Sequence, residues 1–344
     1  MGGALPASYG AIIDALLASE EPSIRWKTRV HVLGEERDAR EPRKLREAIR
    51  TSPRVRALLS RRDARGGIGG TRSVYDKWQG THWVLATLAD LGHPGHDESL
   101  VPMRDAVLDH WLDRLFYEEF EARDKTDAYR KKGVPVMQGR PRRCASQQGY
   151  ALYFLLELGL EDGRIHDLAE RLLHWRWPDG GWNCDKRPSA SKSTFIHRIH
   201  CMRALKRYGA RFGDAAATHA AMVASEIFLS RRLFKRRSTG AVMKAQFTQL
   251  HYPHYWHYDV LLGLKVMAET GLLGDAQCDD ALDLLEAKRL PDGGWPAEKR
   301  YYKVSDRVQL HADWVDWGGT HSSRMNPWVT VDALGVLSKA GRLG

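Results

Sequence analysis

Two thiols, a run of imidazoles and a few carboxylates are the residues of this chain whose types could do chemistry. Cys144 follows the basic run RPRR, and Cys184 closes the string WPDGGWNC at 177–184, with Asp185 next to it. His197 and His200 come shortly after, and the string HYPHYWHYD supplies His251, His254 and His257, then Asp259. Thiolate sulfur and imidazole nitrogen are the donors that zinc favours, and catalytic zinc keeps three protein ligands and one open position. Cys144, Cys184, His197 and His254 are therefore the candidate zinc ligands. His257 with Asp259 is the candidate general acid/base pair, because imidazole is the side chain whose ordinary pKa lies near neutrality. A polar, aromatic wall explains HYPHYWHYD about as well as metal binding does. Cys201 and Cys278 read as small buried hydrophobes.

The elements that must position these groups are helices. The stretch GYALYFLLELGLEDGRIHDLAERLLHWRW reads as a nearly all-apolar helix, a glycine break, and an amphipathic helix with Ile165, Leu168, Leu172 and Leu173 on one face. The pairing recurs along the chain. Candidate inner helices begin near Ser23, Gly80, Ala145, Thr194, Trp256 and Pro327, at a spacing of about 50–70 residues. No run of alternating β-branched residues competes for strand assignment. The class is all-α. The string WPDGGWNC has a near copy, LPDGGWPA, at 290–297, with the tryptophan kept and the cysteine gone. The tryptophan thus reads as architecture and the cysteine as something else. Aromatic residues cluster at the inner-helix starts: Trp78 and Trp83, Tyr150 and Tyr153, Tyr255 and Trp256, and Trp328. A closed ring of inner helices would set these around a central cavity; packed core is the competing reading.

Composition bounds the partners. The 344 residues are 43% hydrophobic and 28% charged, enough to bury a large core. We read 1–344 as a single domain, with 1–20 an N-terminal helix or extension. No apolar run reaches the roughly 18 residues that a membrane span needs. The N-terminus has no basic region before an apolar stretch, which argues against a signal peptide, and Pro6 spoils a superficial N-myristoylation start at Met1-Gly2-Gly3. Four scattered cysteines are too few for a disulfide scaffold and fit reduced thiols in the cytoplasm. The net charge is +10, but the basic clusters RRDAR, YRKKG, RPRR and RRLFKRR are spread along the chain. They read as solvated surface, so nucleic acid is not an expected partner.

PDGGWNC and PDGGWPA, each placed after an outer helix and before the next inner one, resemble the QW-type repeats of the squalene-cyclase and protein-prenyltransferase superfamily. GGIGG at 66–70 and WGGTH at 317–321 look like degenerate versions. The chain is more closely similar to bacterial single-domain squalene-cyclase-like proteins of uncertain function. In these a cysteine opens the third inner helix, GGWNCD precedes the fourth and WHYDVL opens the fifth. Cys144, Gly180 to Asp185, and Trp256 to Leu261 stand at those places. The resemblance implies an α/α toroid (an α6/α6 barrel) of inner and outer helices, with the turns before the inner helices at one end. Candidates far apart in sequence would then converge there. It also implies zinc held by Asp, Cys and His, the His lying at an inner-helix start as His197 does. The family's Asp-x-Cys spacing is missing; Cys184-Asp185 replaces it, which puts Asp185 in doubt as a ligand. No Asp-x-Asp-Asp string of class II cyclases occurs. Asp279, Asp280 and Asp283 have the Asp-Asp-x-x-Asp spacing but open an outer helix, where acidic residues suit the helix N-terminus.

The expected activity is prenyltransferase- or terpene-cyclase-like, a transferase or lyase chemistry. An isoprenoid or similar lipid would lie against Trp78, Trp83, Tyr150, Tyr255, Trp256 and Trp328. Aromatic faces would stabilise developing cations, Arg143 and Lys186 would hold a diphosphate, and zinc would act as Lewis acid or thiolate activator. The alternative is a non-catalytic lipid- or peptide-binding toroid.

Overall fold

A computed structural model describes residues 7–343; the first part of the N-terminal extension, including the Met1-Gly2-Gly3 start, lies outside the described residues. The described residues are mainly helical. They group into two compact units where the sequence suggests one domain.

Among the described residues, the first unit holds 7–62, 75–94 and 229–343. Its helices are α1 (Ala7–Leu17), α2 (Pro22–Lys27), α3 (Arg40–Arg50), α4 (Pro53–Leu59) and α5 (Thr81–Leu91), and later α12 (Val260–Thr270), α13 (Asp279–Ala287) and α14 (Pro327–Lys339). The second unit holds 63–74 and 95–228, with α6 (Val101–Leu112), α7 (Lys125–Arg130), α8 (Ser146–Glu157), α9 (Arg164–His174), α10 (Phe195–Phe212) and α11 (Ala215–Leu229).

Five of the six expected inner-helix starts fall within a residue of a helix start: α2, α5, α8, α10 and α14. The exception is Trp256, for α12 begins at Val260. Asp259 decides this by capping the helix with its side chain, which accepts from the Leu262 amide at 2.8 Å and leaves 256–258 in the turn before it. Sequence alone suggested no strands. Short ones form in loops: β1 (Glu119–Glu121) pairs parallel with β2 (Val134–Met137), which pairs antiparallel with β3 (Arg140–Pro141), and β4 (Lys303–Val304) pairs with β5 (Ala312–Asp313). At two to four residues each they were too short to produce a periodic signal.

The repeated turn has the same construction in both units. The Trp177 amide donates to the Gly181 carbonyl at 2.8 Å, and Leu290 donates to Gly294 at 2.8 Å. Gly180 and Gly293 take φ of 79° and 88°, open to glycine at no steric cost. At Gly180 a Cβ would also lie 2.4 Å from a Val223 methyl. The fully buried Trp182 and Trp295 each reach back ten residues. Their indole N–H groups donate to Leu172 O (2.8 Å) and Leu285 O (2.6 Å), carbonyls near the ends of α9 and α13. The regular hydrogen-bond ladder runs out at helix ends, where Leu285 O has in addition only the Lys288 amide at 3.2 Å, so the tryptophan caps the outer helix it follows. The variant WGGTH departs from this pattern: Trp317 donates to Asp313 instead.

In the first unit, four helices are tied by buried charge. Lys27 (α2) lies 2.9 Å from Asp90 (α5) and 3.3 Å from Asp332 (α14), and Lys265 (α12) pairs with both carboxylates. Tyr252 adds a hydroxyl bond to Asp90 at 2.8 Å. Burial pushes both carboxyls up, but Lys265 and Lys27 together hold them below the usual range. The acidic triplet of α13 is paired on the surface: Asp280 with Arg232 and Lys235, and Asp279 and Asp283 with Arg342.

Candidate functional site

The second unit brings Cys144, Cys184 and His197 together. Cys144 stands between β3 and α8, Cys184 follows the PDGGW turn, and His197 lies in the first turn of α10. One donor atom from each, the two sulfurs and a ring nitrogen, lie within 4.8 Å of one another, and all three residues are half-buried. The loop carrying Cys184 is held at both ends. Asn183 donates to Lys192 O (2.8 Å) and the Thr194 amide donates to Trp182 O (3.0 Å). Asp179 accepts from the Ser193 amide (2.9 Å) and from Arg198 (3.1 Å). The duplicated turn thus fixes the backbone from which the cysteine projects.

The donor set fits zinc. Zinc–sulfur bonds of about 2.3 Å in a tetrahedron place ligand atoms about 3.8 Å apart, a modest contraction from the spacing seen. His197 Nδ1 is buried with no hydrogen-bond partner among the described residues. Burial lowers the pKa of His197, which keeps the ring neutral, as a ligand must be. The two thiols interact with each other. That hydrogen bond, then burial, pushes the Cys184 thiol up, against the opposing charge of Arg143. Lys186 is lowered by burial, with both sulfurs pulling the other way.

The other residues expected here are placed as follows. Arg143 lies against aromatic rings, its guanidinium 5.1 Å from the Phe116 centroid and 5.8 Å from that of Trp111. Lys186 donates to Ala128 O at 3.0 Å and sits 3.9 Å from the Tyr129 ring. Asp185 is turned to Arg187, at 2.9 and 3.1 Å from its Nε, which takes it out of the donor set. Tyr150, half-buried on α8, stacks on His200 of α10 at 4.3 Å. Cys201 is fully buried where α8 meets α10, and a Cβ on Gly149 would come within 2.9 Å of its Cα.

His254 belongs to the first unit. Its Nε2 is 3.2 Å from Asp259 Oδ1, and His251 Nδ1 is 2.9 Å from Asp259 Oδ2. Asp259 is fully buried and also accepts from the His251 amide at 3.0 Å. Burial would raise its pKa, but the two imidazoles, His251 first, hold it well below the usual carboxylate range. The expected His257–Asp259 pair is therefore not formed: both carboxylate oxygens are taken by His251 and His254. His257 instead stacks on Tyr301 at 3.6 Å and on Trp256 at 4.3 Å, and burial, then His251 and Lys77, lower its pKa to about 3.

The aromatics of this unit pack on one another. Trp78 and Tyr255 stack at 4.1 Å, Trp83 meets Trp78 edge-on at 4.7 Å, and Trp328 lies parallel to Tyr252 at 5.0 Å. Trp78, Trp83, Tyr255 and Trp328 are all buried; Trp256 is half-buried. Sequence reasoning missed Asp313, a buried acid that accepts from Tyr255 Oη and from Trp317 Nε1 (2.9 Å), and whose pKa burial raises against those bonds. An acid within ADWVDW, flanked by aromatic residues, was the available signal.

No protein-family model matches the chain, and no curated protein matches it. Among solved structures it is similar to a protein from Actinoplanes (15% identity over 97% of this chain and 99% of that one, TM-score 0.47). It is also similar to an unsaturated glucuronyl hydrolase from a Bacillus species (14%, 92% and 84%, TM-score 0.42). A third is a type II terpene cyclase from Scytonema, solved with its substrate geranylgeranyl dihydroxybenzoate (15%, 98% and 97%, TM-score 0.44). No helix among the described residues is long and apolar enough to cross a membrane.

Proposed function

We propose that this chain is a zinc-dependent enzyme of prenyltransferase- or terpene-cyclase-like chemistry, built on an α/α toroid and acting on an isoprenoid or similar lipid. The observation that carries the reading is the gathering of Cys144, Cys184 and His197, from three separate segments, within 4.8 Å. Two sulfurs and one nitrogen make a three-ligand set, which leaves a coordination position for substrate or water. Bound zinc would supply Lewis acidity or hold a thiolate reactive at neutral pH. Around it, Arg143 and Lys186 place two positive charges near the sulfurs, suited to an anionic head group such as a diphosphate. Tyr150, stacked on His200, presents an aromatic surface of the kind that solvates an apolar chain.

The test is metal content, measured by elemental analysis on wild type beside Cys184→Ser. About one zinc per chain in wild type, lost in the variant, is expected. Prenyl diphosphates, screened with thiol and water acceptors, should then give product only with the metal-loaded wild type. Absence of metal after zinc loading would refute the reading. The chain would then be read as a non-catalytic lipid- or peptide-binding toroid, and lipids extracted from the purified protein would be the next measurement.

A further inference from the structure

We infer that Cys144 and Cys184 are a modification site: a dithiol that closes reversibly to a disulfide and, in doing so, excludes the metal. The inference deepens the proposed function and rests on it for the metal-bound half, whereas the thiol chemistry stands on geometry alone. Neither cysteine is in a disulfide, and their sulfurs lie within 4.8 Å and hydrogen-bond each other. A disulfide needs them at about 2.05 Å. Both residues sit on irregular backbone, Cys144 before the first turn of α8 and Cys184 after the PDGGW turn, where side-chain rotation and a small loop shift can close the gap. Both are partly exposed, so a small oxidant has access. The remaining thiols are unsuited to it: Cys201 and Cys278 are fully buried, out of reach of an oxidant in solution.

The oxidant proposed is hydrogen peroxide. One thiolate attacks the O–O bond; an S–O bond forms, the O–O bond breaks, and the departing oxygen takes a proton and leaves as water. The second thiolate attacks the resulting sulfenic sulfur; the S–S bond forms, the S–O bond breaks, and the leaving hydroxide is protonated to a second water. Two thiols lose two electrons and the peroxide is reduced by two. An external dithiol reverses the step. The same two sulfurs cannot hold zinc while bonded to each other, so disulfide and metal are alternative states of one site.

The experiment uses the full chain, stripped of metal by a chelator and then treated with hydrogen peroxide. Expected is a fall from four free thiols to two, with peptide mapping that joins Cys144 to Cys184 and recovery on adding dithiothreitol. Cys201→Ser should form the same link, whereas Cys184→Ala should form none and leave Cys144 to oxidise alone. Separate oxidation of the two cysteines in the wild type, or unchanged thiols, would overturn the dithiol. In a second arm, zinc is added before peroxide; at least about a tenfold slower loss of the two thiols is expected if both bind the metal. A disulfide that forms equally fast with zinc present would overturn the exclusion of metal and, with it, the metal reading of the site, but leave the dithiol standing.

Discussion

Replacing Lys27 with Met tests whether the buried charge of the first unit acts as one group. Lys27 is 3% exposed and contacts Asp90 and Asp332, while Lys265 contacts the same two carboxylates, so two positive charges balance two negative ones. Met keeps most of the volume of the lysine stem. It removes the charge and leaves two carboxylates facing one ammonium. Breaking a buried pair by deleting one partner costs about 3–5 kcal/mol, because the remaining charge has lost its compensation. A cooperative unit of about 200 residues has an unfolding entropy near 0.4 kcal/mol/K, so this corresponds to a Tm lower by roughly 7–12 °C. The assay is thermal unfolding followed by circular dichroism, with calorimetry to separate the units. Asp90→Asn in the Lys27→Met background restores the balance and should recover at least about 1 kcal/mol relative to the sum of the single variants. The acid limb gives a second check. Both carboxyls are depressed in the folded state, so their contribution is fully present above the ordinary carboxylate pKa of about 3.9 and is lost as pH falls through the folded values. A Lys27→Met variant within about 1 kcal/mol of wild type, or strict additivity with Asp90→Asn, would refute the reasoning.

Three further outcomes follow from the geometry. Trp182→Phe and Trp295→Phe each leave a helix-end carbonyl without its indole donor and should each cost about 1–3 kcal/mol in denaturant unfolding; a large loss at only one site would show that the two turns are not equivalent. Gly180→Ala forces a side chain onto φ of 79° and against Val223 and should destabilise by more than about 1 kcal/mol, whereas Gly274→Ala, whose Cβ meets nothing within 4 Å, should not. His31 is lowered to about 3 by burial first, then by Arg37 and Lys27, so the unfolded chain takes up a proton between about pH 6.5 and 3 that the folded chain does not. Stability should fall with pH across that window, and His31→Gln should reduce the slope by up to about 1.4 kcal/mol per pH unit, measured by urea unfolding at stepped pH.

The helices were legible because their signal is local. Apolar runs broken by glycine gave five of six inner-helix starts to within a residue, and the sixth failed only because Asp259 turned out to be a cap instead of a member of the helix. The duplicated PDGGW strings announced a common construction, and the ten-residue reach of Trp182 and Trp295 supplies its mechanism. Partnerships were harder, since a residue type lists what a side chain can bond but not which partner reaches it first. His257 and His251 are the same side chain near the same Asp259, yet stacking on Tyr301 takes the one and the carboxylate takes the other. Sequence proximity favoured the wrong imidazole: His257 stands two positions before the acid and His251 eight. The lysine–aspartate network carried a signal that could have been used. Asp90, Lys265 and Asp332 each interrupt an otherwise apolar stretch, in VLATLAD, VLLGLKVMAET and WVTVDALGVL, whereas Lys27 sits between Arg25 and Arg29 and carried no such signal. A charge in an apolar helix must find an opposite charge or lose stability, and one lysine against two aspartates in three such helices calls for a further cation, which Lys27 supplies.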